Sequence, residues 1–341
     1  MLLLGSALAI LMVLAFAVIS SGHDISNAIA IPVRHRALTP RTALALGSAL
    51  NALGAILAAA MLPWDNGFLA SALPYQEPAV LLLVLCCALA SSIGWALLTW
   101  RWGLPASMGA ALISALIGAG LGARLTGLIQ HPPPITSSVI GLVVLVLLAP
   151  VVAFALGWLL VIPAVRTASR FEAAQVTTAA RVVMVIGASA GNLSHGMVHG
   201  QRVLILLAAV PLASGLTDLE DGGGWWIAAA AALALAAGSL LGGWPIARTI
   251  SSRMVRPDAL RGATAQGVAS ALILPAAMGS ELQLSTSQTT ASAVLGAGEN
   301  QKFRSMNLRV VRRVLLCWLL TVPVCALTAG ILLTATSPLL G

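Results

Sequence analysis

Asp24 is the one acidic residue in the first 64 positions. It sits in Ser21-Gly22-His23-Asp24-Ile25-Ser26-Asn27-Ala28, between two apolar stretches. Placing a carboxylate in such surroundings costs about 3 kcal/mol or more, which makes it a candidate for holding a cation or a proton. Asn27, one helical turn later, adds a neutral oxygen. Two placements are open. The first helix could end at Gly22, with Asp24 capping a new one at the interface. Alternatively a helix breaks at membrane depth, and the freed backbone joins Asp24 and Asn27 around a cation or proton; this is the expectation carried forward.

A second polar group is Gly191-Asn192-Leu193-Ser194-His195-Gly196-Met197-Val198-His199-Gly200-Gln201-Arg202. His195 and His199 are four apart, so a helix puts them on one face. They can be a metal pair, a satisfied structural pair, or a pair that handles protons or contacts an anion near neutral pH. The zinc-protease pattern needs Glu beside the first His, where this chain has Gly196. Arg202 either snorkels to the interface or faces an anion. A third group, Ser285-Thr286-Ser287-Gln288-Thr289-Thr290, strings six hydrogen-bonding side chains together. Hydroxyls beside the free amides of a helix N-terminus suit an oxyanion; the alternative is Ser/Thr packing between membrane helices.

The elements carrying these groups must lie in a bilayer. Of 341 residues, 59% are hydrophobic and 8% charged, and mean hydropathy is +0.98. Soluble domains carry about 25% charged residues. A soluble enzyme, a nucleic-acid binder and a disordered chain are therefore excluded, and the net charge of +8 reads as basic cytoplasmic loops. Uncharged runs long enough to cross the hydrocarbon occupy residues 2–23, 42–64, 79–100, 135–165, 182–201 continuing to 217, 225–247 and 314–341. The first run lacks a basic leader and is expected to be a retained span. Cys86, Cys87, Cys317 and Cys325 lie in apolar runs and read as small buried hydrophobes.

Fifteen of the 18 basic residues fall in four inter-span segments, around 34–41, 166–181, 248–261 and 302–313. The loops at 65–77 and 218–221 are acidic and lack Lys and Arg. The positive-inside rule puts the basic segments in the cytoplasm and both termini outside. Residues 80–122, broken at Gly103-Leu104-Pro105, and residues 262–298 must then each enter and leave on one side, as re-entrant hairpins whose tips line a cavity. Gly103–Gly120 also aligns without gaps on Glu281–Gly298, with identities at Leu104/Leu282, Ser107/Ser285, Ser114/Ser292 and the closing Gly-Ala-Gly. The expected fold is an all-α polytopic membrane protein of two inverted repeats with broken helices and two re-entrant hairpins. Residues 1–165 form the first repeat, 166–181 a cytoplasmic linker along the inner surface, and 182–341 the second repeat.

These residues resemble the inorganic phosphate transporter (PiT) family. Its Gly-Ala-Asn-Asp motif is similar to the segment around Asp24, followed by Arg36-Ala37-Leu38-Thr39-Pro40-Arg41. Its His-Gly-x-Asn-Asp-Gly-Gln-Lys motif is similar to His195-Gly196-Met197-Val198-His199-Gly200-Gln201-Arg202. Its Leu-Pro-Val-Ser-Thr-Thr-His tips resemble Leu104-Pro105-Ala106-Ser107 and Leu284-Ser285-Thr286-Ser287-Gln288. The chain departs from the family at His23, where the family has Asn, and at Val198-His199, where it has Asn-Asp. The first tip also lacks Thr-Thr-His.

The resemblance implies secondary active symport of an inorganic oxyanion, phosphate before sulfate, with H⁺ or Na⁺, and no enzymatic activity or cofactor. Asp24, Asn27, His23 and His199 are the implied coupling-ion residues, with Asp24 and Asn27 as ligands if the ion is Na⁺ and no other metal expected. Ser107, Ser285, Thr286, Ser287, Gln201 and Arg202 are the implied substrate residues. The lost carboxylate and added histidines favour H⁺ over Na⁺. The other classes open to the sequence are a non-transporting sensor or assembly paralogue and an intramembrane enzyme with a histidine-bound metal. The implied surroundings are a cell membrane and a homodimer partner, with no nucleic acid.

Overall fold

A computed structural model describes residues 2–62, 77–130, 147–213, 224–279, 284–301 and 306–340. Its elements are helical: α1 (Leu2–Arg34), α2 (Pro40–Met61), α3 (Pro78–Trp102), α4 (Met108–Leu125), α5 (Ala149–Ala168), α6 (Ala173–Ala213), α7 (Gly224–Leu241), α8 (Trp244–Arg248), α9 (Ala259–Met278), α10 (Thr286–Glu299) and α11 (Leu308–Thr336). A π turn (Thr249–Arg253) continues α8. Among the described residues, eight helices are long and apolar enough to cross a membrane: α1 to α7, and α11 with its closing 3₁₀ turn. The protein is a multi-pass membrane protein.

Local signals set the boundaries. Thr39 caps α2 by accepting from the Thr42 amide, and Pro40 follows it. Asp258 caps α9 and Asn307 caps α11. Gly103 ends α3 at φ 66°, where a Cβ would also meet the Pro245 carbonyl oxygen at 2.8 Å. Large side chains such as Leu4, Leu11, Leu319 and Leu327 point outward, as a lipid-facing surface requires. Ala, Gly and Ser dominate between helices, because lipid tails offer no hydrophobic drive and close backbone packing must replace it.

One expectation is corrected. No helix breaks at Asp24: α1 runs for 33 residues straight through positions 21–28. The residues that suggested a break are contact residues of a continuous helix. Ser20 and Ser26 return their hydroxyls to the carbonyls of Ala17 and His23. Gly22 makes room for a neighbour, since a Cβ there would meet the Trp100 ring at 2.7 Å and the Gly238 carbonyl at 2.9 Å. The histidine segment behaves likewise inside α6, 41 residues long. Gly196 lies against the Asn51 backbone and Gly200 against Ala55. Residues 166–181 divide between the end of α5, a turn and the start of α6. The acidic loops, Glu77 excepted, lie outside the described residues, as do Glu281, Lys302 and Arg304.

The packing repeats itself. α4 lies on α11 and α10 on α5; α1 lies on α7 and α6 on α2; α1 lies on α3 and α6 on α9. Exchanging α1–α5 for α6, α7, α9, α10 and α11 in order maps this pattern onto itself. Gly118 abuts the Ala326 backbone, and its aligned partner Gly296 abuts that of Phe154. The basic segments share one end of the bundle. Arg34 donates to the Ser251 carbonyl, Arg181 to that of His35 at 3.1 Å, and the Asn307 amide to Met254 at 2.8 Å. Arg261 at the start of α9 donates to the Asn300 carbonyl just after α10, at 2.7 Å. Burial, reinforced by the Arg34 charge, pushes His35 at this end below its ordinary pKa.

Gly118→Ala and Gly296→Ala each force a methyl group onto a facing backbone that has no rotamer to yield. Each is expected to destabilise by about 2 kcal/mol. Gly267 in α9 has nothing within 4 Å of its Cβ position, so Gly267→Ala is expected to be neutral or stabilising by about 0.5 kcal/mol. Thermal unfolding in detergent measures all three.

Candidate functional site

Asp24 lies ten residues before the basic end of α1, about 15 Å along the helix axis. In a hydrocarbon layer about 30 Å thick, that is near the middle. The carboxylate is 3% exposed, and three helices supply its partners. Ser287 Oγ of α10 donates to Oδ1 at 3.0 Å, and Thr286 Oγ1 donates to Oδ2 at 3.3 Å. His199 Nε2 of α6 is 3.3 Å from Oδ2, and His195 Nε2 is 3.7 Å from it. His23 Nδ1 is 2.8 Å from Oδ1. Ser287 also accepts from Asn27 Nδ2 at 2.8 Å, which ties α10 to α1 twice.

His23 bridges Asp24 and α3. Its Nδ1 is 2.8 Å from Asp24 Oδ1, and its Nε2 is 3.2 Å from the Thr99 hydroxyl, which also lies 2.9 Å from the Trp95 carbonyl. A neutral ring satisfies both contacts, with Nδ1–H donating to the carboxylate and Nε2 accepting from Thr99.

Two clefts meet at Asp24 and Thr286. The first is lined by Asp24, Ser107, Met108, Gly109, Val198, His199, Arg202, Leu284, Ser285 and Thr286. The starts of α4 and α10 therefore both reach it. Ser107 and Ser285 occupy equivalent places, each capping its helix: Ser107 accepts from the Ala110 amide at 3.2 Å, Ser285 from that of Gln288 at 3.3 Å. The N-termini of α4 and α10 thus both open onto this cleft, with an anion-favouring field. Arg202 does not snorkel. Its guanidinium lies over Gly109, where a Cβ would sit 2.6 Å from Cζ. The Trp318 indole holds the segment between α3 and α4 by donating to the Pro105 carbonyl at 2.7 Å.

The second cleft is lined by Asp24, Asn27, Asn192, His195, Gln266, Ser270, Thr286 and Thr290, with Ala28, Gly191, Ala269 and Ile273 as apolar wall. Asn27 Oδ1, Asn192 Oδ1 and Gln266 Oε1 are buried without a hydrogen-bond donor. Three amide oxygens and a carboxylate are hard donors of the kind that hold alkali and alkaline-earth cations.

The structure thus brings together Asp24, Asn27, His23, His199, Ser107, Ser285, Thr286, Ser287 and Arg202. Gln201 is half-buried, and the lining of neither cleft includes it. Sequence reasoning left His195 out of the expected ligand set and missed Asn51, Asn192 and Gln266. Asn192 lies inside the histidine segment, and Asn51 and Gln266 are amides in largely apolar helices; those were the available signals. Asn51 accepts from His195 Nδ1 at 2.9 Å and donates to Ser239 at 2.7 Å. The His195 and His199 rings stack with centroids 4.2 Å apart.

Comparison with known proteins gives a consistent picture. The profile of the Phosphate transporter family matches residues 20–329. A Bacillus subtilis protein described as "Probable low-affinity inorganic phosphate transporter" is 26% identical, over 97% of this chain and 96% of its own length. A Mycobacterium bovis protein of the same description is 31% identical, over 93% of this chain and 74% of its own. A solved structure, "The sodium-dependent phosphate transporter", has the same fold, with a TM-score of 0.76 over 99% of both chains at 16% identity. These relatives are transporters, not enzymes.

Ser287→Ala removes the hydroxyl that serves both Asp24 and Asn27, leaving a buried amide donor unpaired. The expected loss is about 2 kcal/mol, read as a lower unfolding midpoint in detergent, with Ser287→Thr recovering most of it.

Proposed function

Because the chain belongs to the Phosphate transporter family, whose profile covers most of its length, we propose that it is a secondary active transporter of inorganic phosphate, driven by a symported cation. The observation that carries this reading is the position of Asp24 on both clefts. On one side it faces anion-favouring groups: two helix N-termini, the Ser107, Ser285 and Thr286 side chains, and Arg202. On the other it faces oxygen donors. An ionised Asp24 repels phosphate in the first cleft, and a cation beside Asp24 removes that repulsion. Cation and anion then favour each other's binding by the same factor, since the linkage is reciprocal, and coupling energies of about 1–3 kcal/mol are ordinary for such pairs.

The cation is H⁺ on the leading reading, taken up at Asp24, whose carboxylate lies among the His23, His195 and His199 rings. The unpaired oxygens of Asn27, Asn192 and Gln266 favour a second reading, Na⁺ in the second cleft with Asp24 and Asn27 among its ligands. His199 is the remaining residue in a coupling role, through its contact with Asp24; Gln201, outside the lining of both clefts, is left without a substrate role.

The exchange-symmetric packing and the matched caps at Ser107 and Ser285 support two inverted repeats, residues 1–165 and 182–341, joined through 166–181. α9 begins and α10 ends at the basic end, which supports a hairpin entering from that side; α3 and α4 would be its counterpart from the other. With the basic end in the cytoplasm, α1 and α11 both run away from it toward termini outside the cell. Access would alternate by one repeat moving against the other around the fixed site. We retain the homodimer as part of the same reading.

Uptake of labelled phosphate and sulfate into proteoliposomes, under separate pH and Na⁺ gradients, tests this. Phosphate uptake is expected under an inward proton gradient without Na⁺. Uptake that needs Na⁺ instead selects the second reading. A preference for sulfate, or uptake of neither anion under any gradient, overturns the proposal, and the latter points to a sensor or assembly role. Asp24→Asn is expected to abolish coupled uptake while leaving the fold intact. Normal coupled uptake in that variant removes Asp24 from the mechanism.

A further inference from the structure

We infer that Asp24, His195 and His199 form a binding site for a divalent transition-metal ion of the zinc class. One ligand atom from each of the three buried side chains lies within 4.8 Å of the other two. A tetrahedral zinc ion with bonds of about 2.0–2.1 Å sets its ligand atoms about 3.3 Å apart. Asp24 Oδ2 lies 3.3 Å from His199 Nε2 and 3.7 Å from His195 Nε2. The two rings stack with centroids 4.2 Å apart, so ligation requires them to turn until both Nε2 lone pairs converge, and the fourth position remains for water.

The surroundings of His195 carry the argument further. The Asn51 amide donates to Ser239 Oγ at 2.7 Å. The one hydroxyl proton of Ser239 is taken up within its own group, with the Leu235 carbonyl and Ser21 as acceptors. Asn51 therefore presents Oδ1 to His195, and His195 Nδ1–H donates to it at 2.9 Å. In the neutral ring this leaves Nε2 with its lone pair. That nitrogen has no hydrogen-bond partner, and the residue is 3% exposed. Nε2 lies 3.7 Å from a carboxylate oxygen, and two facing acceptors repel each other unless a cation lies between them. A ring whose far N–H is anchored on a carbonyl oxygen is the usual arrangement of a metal-ligating histidine.

Two neighbours bear on the site without joining it. His23 faces the other carboxylate oxygen, Oδ1. The Arg202 guanidinium is directed to Gly109 in the first cleft. Imidazole and carboxylate together select zinc, cobalt and their neighbours over the alkali metals. This chemistry is distinct from the oxygen-lined second cleft. An ion held here also joins α1 to α6, one from each half of the chain. The site does not depend on what the protein transports.

The test is a Co²⁺ titration of the purified full-length protein in detergent, followed by its visible d–d absorption, with Zn²⁺ added to displace it and calorimetry for the Zn²⁺ affinity. A single ion per chain with the intense bands of tetrahedral Co²⁺ is expected. His195→Gln and His199→Gln are each expected to weaken binding by more than about 10-fold, and Asn51→Leu, which frees the His195 ring, by about 10-fold. His35→Gln, at the basic end, leaves binding unchanged. The wild-type spectrum needs no variant to fold, and elution as a single species checks the variants. No metal-dependent absorption in the wild type, or equal Zn²⁺ affinity in the His195→Gln/His199→Gln double variant, overturns the site. Phosphate uptake by the same preparation separates the two readings. Uptake without stoichiometric metal binding refutes only the metal site, and metal binding without uptake upholds the site while counting against phosphate transport.

Discussion

A carboxylate in the middle of a bilayer has no water to solvate it, so protein groups must do so. Around Asp24 they come from three helices: His23 beside it on α1, the histidine pair of α6, and the Thr286 and Ser287 hydroxyls at the start of α10. None of these suffices alone. The requirement that all of them reach one pair of oxygens constrains which faces of α1, α6 and α10 meet.

The small residues follow from that requirement. Polar side chains as short as Ser and Thr meet across a helix interface only when the backbones approach closely. Gly22, Gly196 and Gly238 lie where a methyl group would strike a neighbouring helix. In lipid this close packing is also the main source of helix association. Stability and site construction therefore draw on the same residues, and the glycines flanking Asp24 and His195 serve both.

The departures from the family pattern have a common physical sense. Where the family carries Asn-Asp in its second motif, this chain carries Val198 and His199. One fixed negative charge is replaced by a ring whose charge is adjustable and whose nitrogen is a softer ligand. His23 in place of Asn makes the same change beside Asp24. Together they place three imidazoles around one carboxylate.

Much was legible from residues alone. The low charge, long apolar runs and segregated basic loops dictated a helical membrane protein, because a bilayer tolerates few alternatives. The isolated carboxylate and the run of hydroxyls were conspicuous because polar side chains are costly in that setting. What misled was the backbone at Asp24: Ser, Gly and Asn in succession read as a helix break, yet in a membrane the helix persists because nothing else satisfies its amides. Asn51, Asn192 and Gln266 were invisible as a set, since they lie on α2, α6 and α9 and no local spacing relates them. Whether Arg202 turned outward or inward was likewise undetermined until the position of Gly109 was known. Residue chemistry is a local property and can be read along the chain. The convergence of that chemistry on one carboxylate depends on how distant helices pack, and only the tertiary structure decided it.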